Sequence, residues 1–187
     1  IAGFGQYGRF WMSPRGGIWL SAAYPLFSKE FAPDIFLLSV SYHLCEILLK
    51  ESIQVSLKWP NDIFYDDKKL AGILAKVVTR GKQVIYARIG IGMNINNPTP
   101  SNGINLAEII DSKIVSEHYW TAKILKAIHL AIESNQERNY IIKGVNKFLD
   151  KRYLPDPKNY LGWSIQKIDL HGNLIISKGK QQKTIKP

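Results

Sequence analysis

A single cysteine, Cys45, is all the thiol chemistry the chain possesses, so an internal disulfide is excluded and a reducing, cytoplasmic setting is expected. No stretch reaches the roughly 18 uncharged apolar residues that a membrane-spanning helix needs. The most apolar run, residues 35–49, is interrupted by Ser39, Ser41, His43 and Glu46. No signal-peptide pattern opens the chain either, so no membrane partner is expected. The four histidines (His43, His118, His129, His171) have no His, Cys or carboxylate neighbours at metal-ligand spacing, which argues against a structural zinc. Acidic residues are also short: 15 stand against 25 Lys and Arg, leaving a formal charge of +10. The imbalance is local, since residues 101–150 are neutral while the last 37 hold eight cations and two carboxylates. Such a field suits nucleic acid, phosphorylated small molecules or an acidic protein, but a solvated lysine-rich surface produces the same count.

What is present is enough for a core. The 187 residues are 45% apolar and 21% charged, the proportions of a folded domain with room for a small appendage. The first residue is Ile1 rather than Met, and the expectation is a chain that starts inside a longer protein. Residues 18–24 read as a strand between Gly16-Gly17 and Pro25, and residues 33–50 as a largely buried helix. Strands are expected at 55–59, 63–65, 70–78 and 83–92, with a hairpin turn at Asp66-Asp67-Lys68 and a second turn at Gly81-Lys82. Residues 94–103 are dense in Asn, Pro and Gly and read as a loop. Ser116 opens a helical pattern in which Ala122, Leu125, Ile128 and Ile132 recur, and a second helix is expected over 137–151. From Tyr153 onward, Pro and Gly punctuate short β-prone runs, with residues 154–157 as linker.

Two segments carry candidate chemistry. Gly3-Phe4-Gly5-Gln6-Tyr7-Gly8 spells G-x-G-x-x-G, but Ser13-Pro14-Arg15-Gly16-Gly17 follows at once and forbids the helix that a dinucleotide site requires. What remains is a glycine-rich, aromatic and basic loop whose backbone can approach a ligand. The second is Lys58-Trp59-Pro60-Asn61-Asp62 with Lys69-Leu70-Ala71-Gly72-Ile73-Leu74 across the hairpin turn. Lys69 is placed to reach back to Asn61 and Asp62, where a carboxylate, an amide and two lysines suit a nucleotide phosphate and Mg²⁺. Gly72, Gly90 and Gly92 inside apolar strands suggest a narrow slot for a flat ligand. Taken singly, each feature has a plainer explanation: an ion pair of Lys69 with Asp66 or Asp67, and β-bulges at the glycines.

In order along the chain, Gly3–Trp11, Ser13–Ser21, Lys58–Asp62, Lys69–Leu74 and Gly90–Asn96 resemble the motifs of the biotin–protein ligases: G-R-G-R-x-G-R-x-W, S-P-x-G-G-L-x-L-S, K-W-P-N-D, K-L-A-G-I-L and I-G-x-G-x-N. The resemblance covers residues 1–100 strongly. It implies an α+β fold, a mixed β-sheet packed against helices as in the biotin/lipoyl protein ligase catalytic domain. That domain would span residues 1–152, with a small SH3-like β-barrel at 153–187. The implied reaction joins biotin and ATP into biotinyl-5′-AMP, with Mg²⁺ carried by ATP near Asp62, then transfers biotin to a lysine of a biotin carboxyl carrier protein. Lys69 and Arg9 would be the catalytic residues. Gly3, Phe4, Gly5, Gln6, Lys69, Gly72, Gly90 and Gly92 would hold biotin. Arg9, Trp11, Lys58, Asn61, Asp62 and Asn94 would hold ATP, with Trp11 against the adenine and the segment 96–105 covering the adenylate. Phe4 and Gln6 stand where the family often carries arginine, which removes two cations from the loop; Arg9 and Arg15 remain. The family's upstream Ser/Thr-Thr-Asn segment is absent. A homodimer is compatible with the resemblance, and nucleic acid is not expected to bind this chain. The alternatives are a lipoate or octanoate ligase of the same fold, which lacks K-W-P-N-D, and a biotin-responsive DNA-binding regulator.

Overall fold

Alternating apolar residues and turn-forming breaks divide the first hundred residues into strands, and a computed structural model shows how they assemble. It describes residues 2–5, 8, 10–26, 31–81 and 83–187. The glycine-rich N-terminal segment, expected as a loop, is partly a hairpin: β1 (Ala2–Phe4) pairs antiparallel with β2 (Phe10–Met12). Next come β3 (Ile18–Pro25), α1 (Phe36–Lys50), β4 (Ser56–Lys58), β5 (Asp62–Tyr65), β6 (Lys68–Arg80) and β7 (Gln83–Met93). Strands β3 to β7 form one sheet in the order β3-β7-β6-β5-β4, with every pairing antiparallel. The parallel contacts are two isolated bridges, Leu57 to Leu149 and Lys69 to Gly103.

Three further helices follow. The one-turn α2 (Leu106–Ile109) lies beyond the expected loop, capped by Asn105, whose side chain accepts from the Glu108 N–H. In α3 (Glu117–Glu133) Ser116 is the N-cap, its oxygen accepting from the Tyr119 N–H, and Trp120, Ile124, Ala127, Ile128 and Ala131 form the buried stripe. Helix α4 (Arg138–Phe148) ends three residues before the expected limit. Helix α1 has no side-chain cap and is buried on most sides, so its stability comes from packing between the sheet, α3 and α4. Its polar groups find partners: Ser39 donates to the Ala131 carbonyl and His43 Nε2 lies 2.8 Å from Ser134 Oγ. The Gly144 backbone meets the Tyr42 ring, where a Cβ would collide.

The C-terminal strands β8 (Ser164–Ile168), β9 (Leu174–Lys178) and β10 (Gln181–Ile185) make a separate three-stranded antiparallel sheet. The architecture is therefore α+β, a large antiparallel sheet packed on helices with a small sheet at the C-terminus. Ile165, Ile168, Leu174 and Ile176 join the same apolar core as α1 and the large sheet. Three polar ties hold the small sheet in place. Asn146 of α4 both donates to the Ile168 carbonyl and accepts from its N–H, Trp59 donates to the Gly172 carbonyl, and Arg138 donates to Asp34 and to the Leu170 carbonyl. Among the described residues no helix is long and apolar enough to cross a membrane.

Candidate functional site

Residues directly opposed in antiparallel strands point to the same face of a sheet. One such row crosses all five strands of the large sheet: Trp19, Gly92, Gly72, Asp62 and Lys58. The second and third members carry no side chain, and the Trp11 indole lies in that space. A Cβ on Gly92 would stand 2.8 Å from Trp11 Cε2, and one on Gly72 3.0 Å from Cζ3. Glycine is required there by close approach. Gly90 is different: a Cβ there would meet only Leu74, at an ordinary 3.7 Å. All three glycines line a cavity of about 520 Å³, bordered by Gly3, Gly5 and the β2 hairpin strand on one side and by Pro100, Asn102 and Gly103 on another.

Lys69 stands at this cavity. Its ammonium is 2.6 Å from Asp62 Oδ1 and lies 4.6 Å from the centre of the Trp11 ring, with the lysine and aspartate side chains 26% and 22% exposed. The partner is thus Asp62 across the strands, not the turn residues Asp66 or Asp67. The backbone of Lys69 is held as firmly as its head group. Its N–H donates to the Asn102 carbonyl, and its own carbonyl accepts from the Ile104 N–H and from Asn94 Nδ2. A register shift between β5 and β6 beside Lys69 frees those groups for the loop.

The other expected residues separate into groups. Gly3, Gly5, Trp11, Asn61, Asp62, Gly72, Gly90, Gly92 and Asn94 all line the cavity with Lys69. Arg9 and Gln6 lie outside the described residues, as does the side chain of Phe4. Lys58 ends the row across the sheet, but its ammonium sits over the rings of Phe64 and Tyr153, neither of which lines the cavity. Asn61 and Asn94 do structural work at the cavity wall. Asn61 Nδ2 donates to the Ile73 carbonyl, and Asn94 Nδ2 donates to the carbonyls of Lys69 and Ile104. Trp11 Nε1 is buried with no hydrogen-bond partner among the described residues, an indole donor lying against Gly92.

Sequence reasoning missed the exposed apolar rim, Phe10 (69% exposed) and Met12 (49%), and the cavity role of Ser13 and Ser21. The alternation along β2 places Phe10 and Met12 on one side and Trp11 on the other, but three residues are too few for that period to stand out. Asp62 is the sole acidic side chain among the described residues lining the cavity. No group of three His, Cys, Asp or Glu able to hold a metal occurs among the described residues. One carboxylate combined with substrate phosphates is nevertheless a usual donor set for Mg²⁺.

Residues 1–94, half of the chain, match the model of the biotin/lipoate A/B protein ligase family. Over 147 residues the chain is 32% identical to the bifunctional ligase/repressor BirA of Bacillus spizizenii, a stretch covering 76% of this chain and 45% of that protein. The BirA of Salmonella typhimurium is 30% identical over 201 residues, covering 100% of this chain and 61% of the relative. The chain thus spans about half the length of the curated relatives it matches. Among solved structures, the biotin protein ligase from Aquifex aeolicus in complex with biotin and ATP aligns with a TM-score of 0.75 at 25% identity, over 98% of this chain and 81% of that one. The matched half holds the strands and glycines that shape the cavity, and by that match the chain belongs to the biotin/lipoate A/B protein ligase family.

Proposed function

We propose that the chain is the catalytic part of an ATP-dependent biotin–protein ligase, with residues 1–152 as catalytic domain and 153–187 as a small C-terminal domain. In the first half-reaction an oxygen of the biotin carboxylate attacks the α-phosphorus of ATP, forming biotinyl-5′-AMP and expelling pyrophosphate. In the second, the amine of a lysine on a biotin carboxyl carrier protein attacks the anhydride carbonyl, and AMP leaves with the bonding electrons. The observation that carries this reading is the Lys69 ammonium, held at a glycine-floored cavity with an oxyanion already at hydrogen-bond distance.

Chemistry of this kind asks a protein for positioning and charge neutralisation more than for covalent work. Lys69 neutralises the oxygens that gain charge as the α-phosphorus is attacked; an ammonium that already pairs with the Asp62 carboxylate is chemically suited to such oxygens. Gly72 and Gly92 leave the sheet bare of side chains where the Trp11 indole now lies; a flat ligand would lie there once the indole swings aside toward the nucleotide, with Gly3, Phe4, Gly5, Gln6 and Gly90 around it. Arg9 serves phosphate, while Trp11, Asn61, Asp62 and Asn94 surround the nucleotide. Lys58, turned toward Phe64 and Tyr153, is better suited to placing the acceptor than to touching phosphate. Mg²⁺ carried by the nucleotide would meet Asp62 and neutralise phosphate charge. Trp11 and the residues Pro100, Asn102 and Gly103 border the cavity, and closing over a bound adenylate would keep water from the anhydride.

The test is biotin-dependent exchange of labelled pyrophosphate into ATP. The wild-type chain should catalyse it with biotin and not with lipoate. Lys69→Ala should lose about a hundredfold or more, with thermal stability within about 1 kcal/mol because a partly exposed ion pair contributes little. Exchange near the wild-type rate in that variant would remove Lys69 from the chemistry.

A further inference from the structure

We propose that Asn97 is a positioning residue for Lys69, a reading that rests on the ligase function above. Asn97 is 2% exposed and every polar atom of its side chain is engaged. Its Oδ1 accepts from the Ile95 N–H at 3.0 Å, and its Nδ2 donates to Asn94 Oδ1 at 3.0 Å and to the Pro98 carbonyl at 3.1 Å. Its main-chain carbonyl accepts from Asn105 Nδ2.

An amide side chain can present oxygen or nitrogen in either direction, and the hydrogen bonds around it decide which. Asn94 must face nitrogen toward two carbonyls, those of Lys69 (3.2 Å) and Ile104 (3.1 Å). Reversed, it would set its oxygen against both. Asn97 forbids the reversal, because its own N–H₂ group requires oxygen at the remaining end of Asn94. The chain of donors therefore runs from Asn97 through Asn94 to the carbonyl of Lys69. On the other side, Asn97 is fixed by the turn before β3. At Gly16, φ is +95° and a Cβ would stand 3.0 Å from the Asn97 N, while at Gly17 it would stand 2.7 Å from Asn97 Oδ1. The Gly16 carbonyl also accepts from the Asn96 N–H at 2.7 Å. Asn97, with Asn96 beside it, thus joins the Ser13–Ser21 segment, the 94–105 loop and, through Asn94, Lys69, and it does not line the cavity itself.

The decisive variant is Asn97→Asp, which keeps the shape and the acceptor for the Ile95 N–H but removes the donor to Asn94. Because the glycine floor that would receive biotin is untouched, kcat for adenylate formation should fall about tenfold while KM for biotin stays within about twofold. The introduced carboxyl regains a donor on protonation, so the ratio of variant to wild-type kcat should rise as pH is lowered from about 8 to about 6. Hydrogen exchange supplies a readout independent of activity: the amides of Lys69 and Ile104 should exchange faster in the variant, and those of α1 should not. Equal losses in kcat and KM with no recovery at low pH, an unchanged kcat, or unchanged exchange at Lys69 and Ile104 would each overturn the proposal. So would failure of both Asn97→Asp and Asn97→Ala to fold, which would make Asn97 a folding residue only. An inactive wild-type chain ends the ligase reading instead, and the exchange measurement then decides the role of Asn97 alone.

Discussion

The two faces of the large sheet are drawn from alternate residues of the same strands, and their compositions are opposite. Along β7, Ile89, Ile91 and Met93 point into the core and are at most 2% exposed, while Gly90 and Gly92 between them open toward the cavity. Along β6, Ala71 and Ile73 are fully buried, with Gly72 between them under Trp11. One face is filled by α1 with its Leu, Val and Ile side chains; on the other, Gly72 and Gly92 carry no side chain and the Trp11 indole lies on the backbone. Core packing and the cavity are thus separated by a single residue step, and substitutions on the two faces should fail in different ways.

The largest expected effect on folding lies on the helix-covered face. Ile89→Ala removes a fully packed side chain beside Gly90 and should cost about 3 kcal/mol of unfolding free energy. Measured well below its melting temperature, its affinity for biotin should stay within about twofold of wild type. A large loss of binding with little loss of stability would show that the faces are not separate. A smaller effect, also confined to the helix layer, comes from His43. Burial, with help from Lys50, pushes its pKa down to about 4. The unfolded chain binds a proton at His43 below about pH 6.5 and the folded chain does not, so stability is full above that value. It should fall by on the order of 1–2 kcal/mol as pH drops from about 6.5 toward 4. His43→Gln should flatten that slope in denaturant titrations, whereas an unchanged slope would place the titrating group elsewhere. For Asp34 and Asp150 burial alone would raise the pKa, but Arg138 and Arg152 hold both carboxyls below the usual value, so their effect comes at more acidic pH.

The strands of the sheet were legible because apolar runs were broken by strong turn formers, and α3 because Ser116 and Glu117 announce its start. The cavity glycines on β6 and β7 were legible for a related reason: glycine in an apolar strand is costly unless backbone must be approached. What escaped had weak or non-local signals. The β1–β2 hairpin has three-residue arms inside a glycine-rich stretch, too short for a period to show. Helix α2 did have a signal, Asn105 followed three residues later by Glu108, hidden among turn formers. Lys58 shares the row of Gly72 and Gly92, as its motif implies, but its long stem carries the ammonium to Phe64 and Tyr153, a choice made by tertiary packing. The bond from Asn97 to Asn94 lies only three residues apart, yet nothing in an Asn-rich run tells which amide orients which.

The most direct test of the central claim is calorimetric titration of biotin into the wild-type chain and into Gly92→Ala, where the new methyl must compete with the Trp11 indole for the same space. The wild type should bind one equivalent, and the variant should bind about tenfold or more weakly, ~1.4 kcal/mol, measured where the variant is still fully folded. No saturable heat with the wild type, or equal affinity in the two proteins, would contradict a biotin site on the glycine floor.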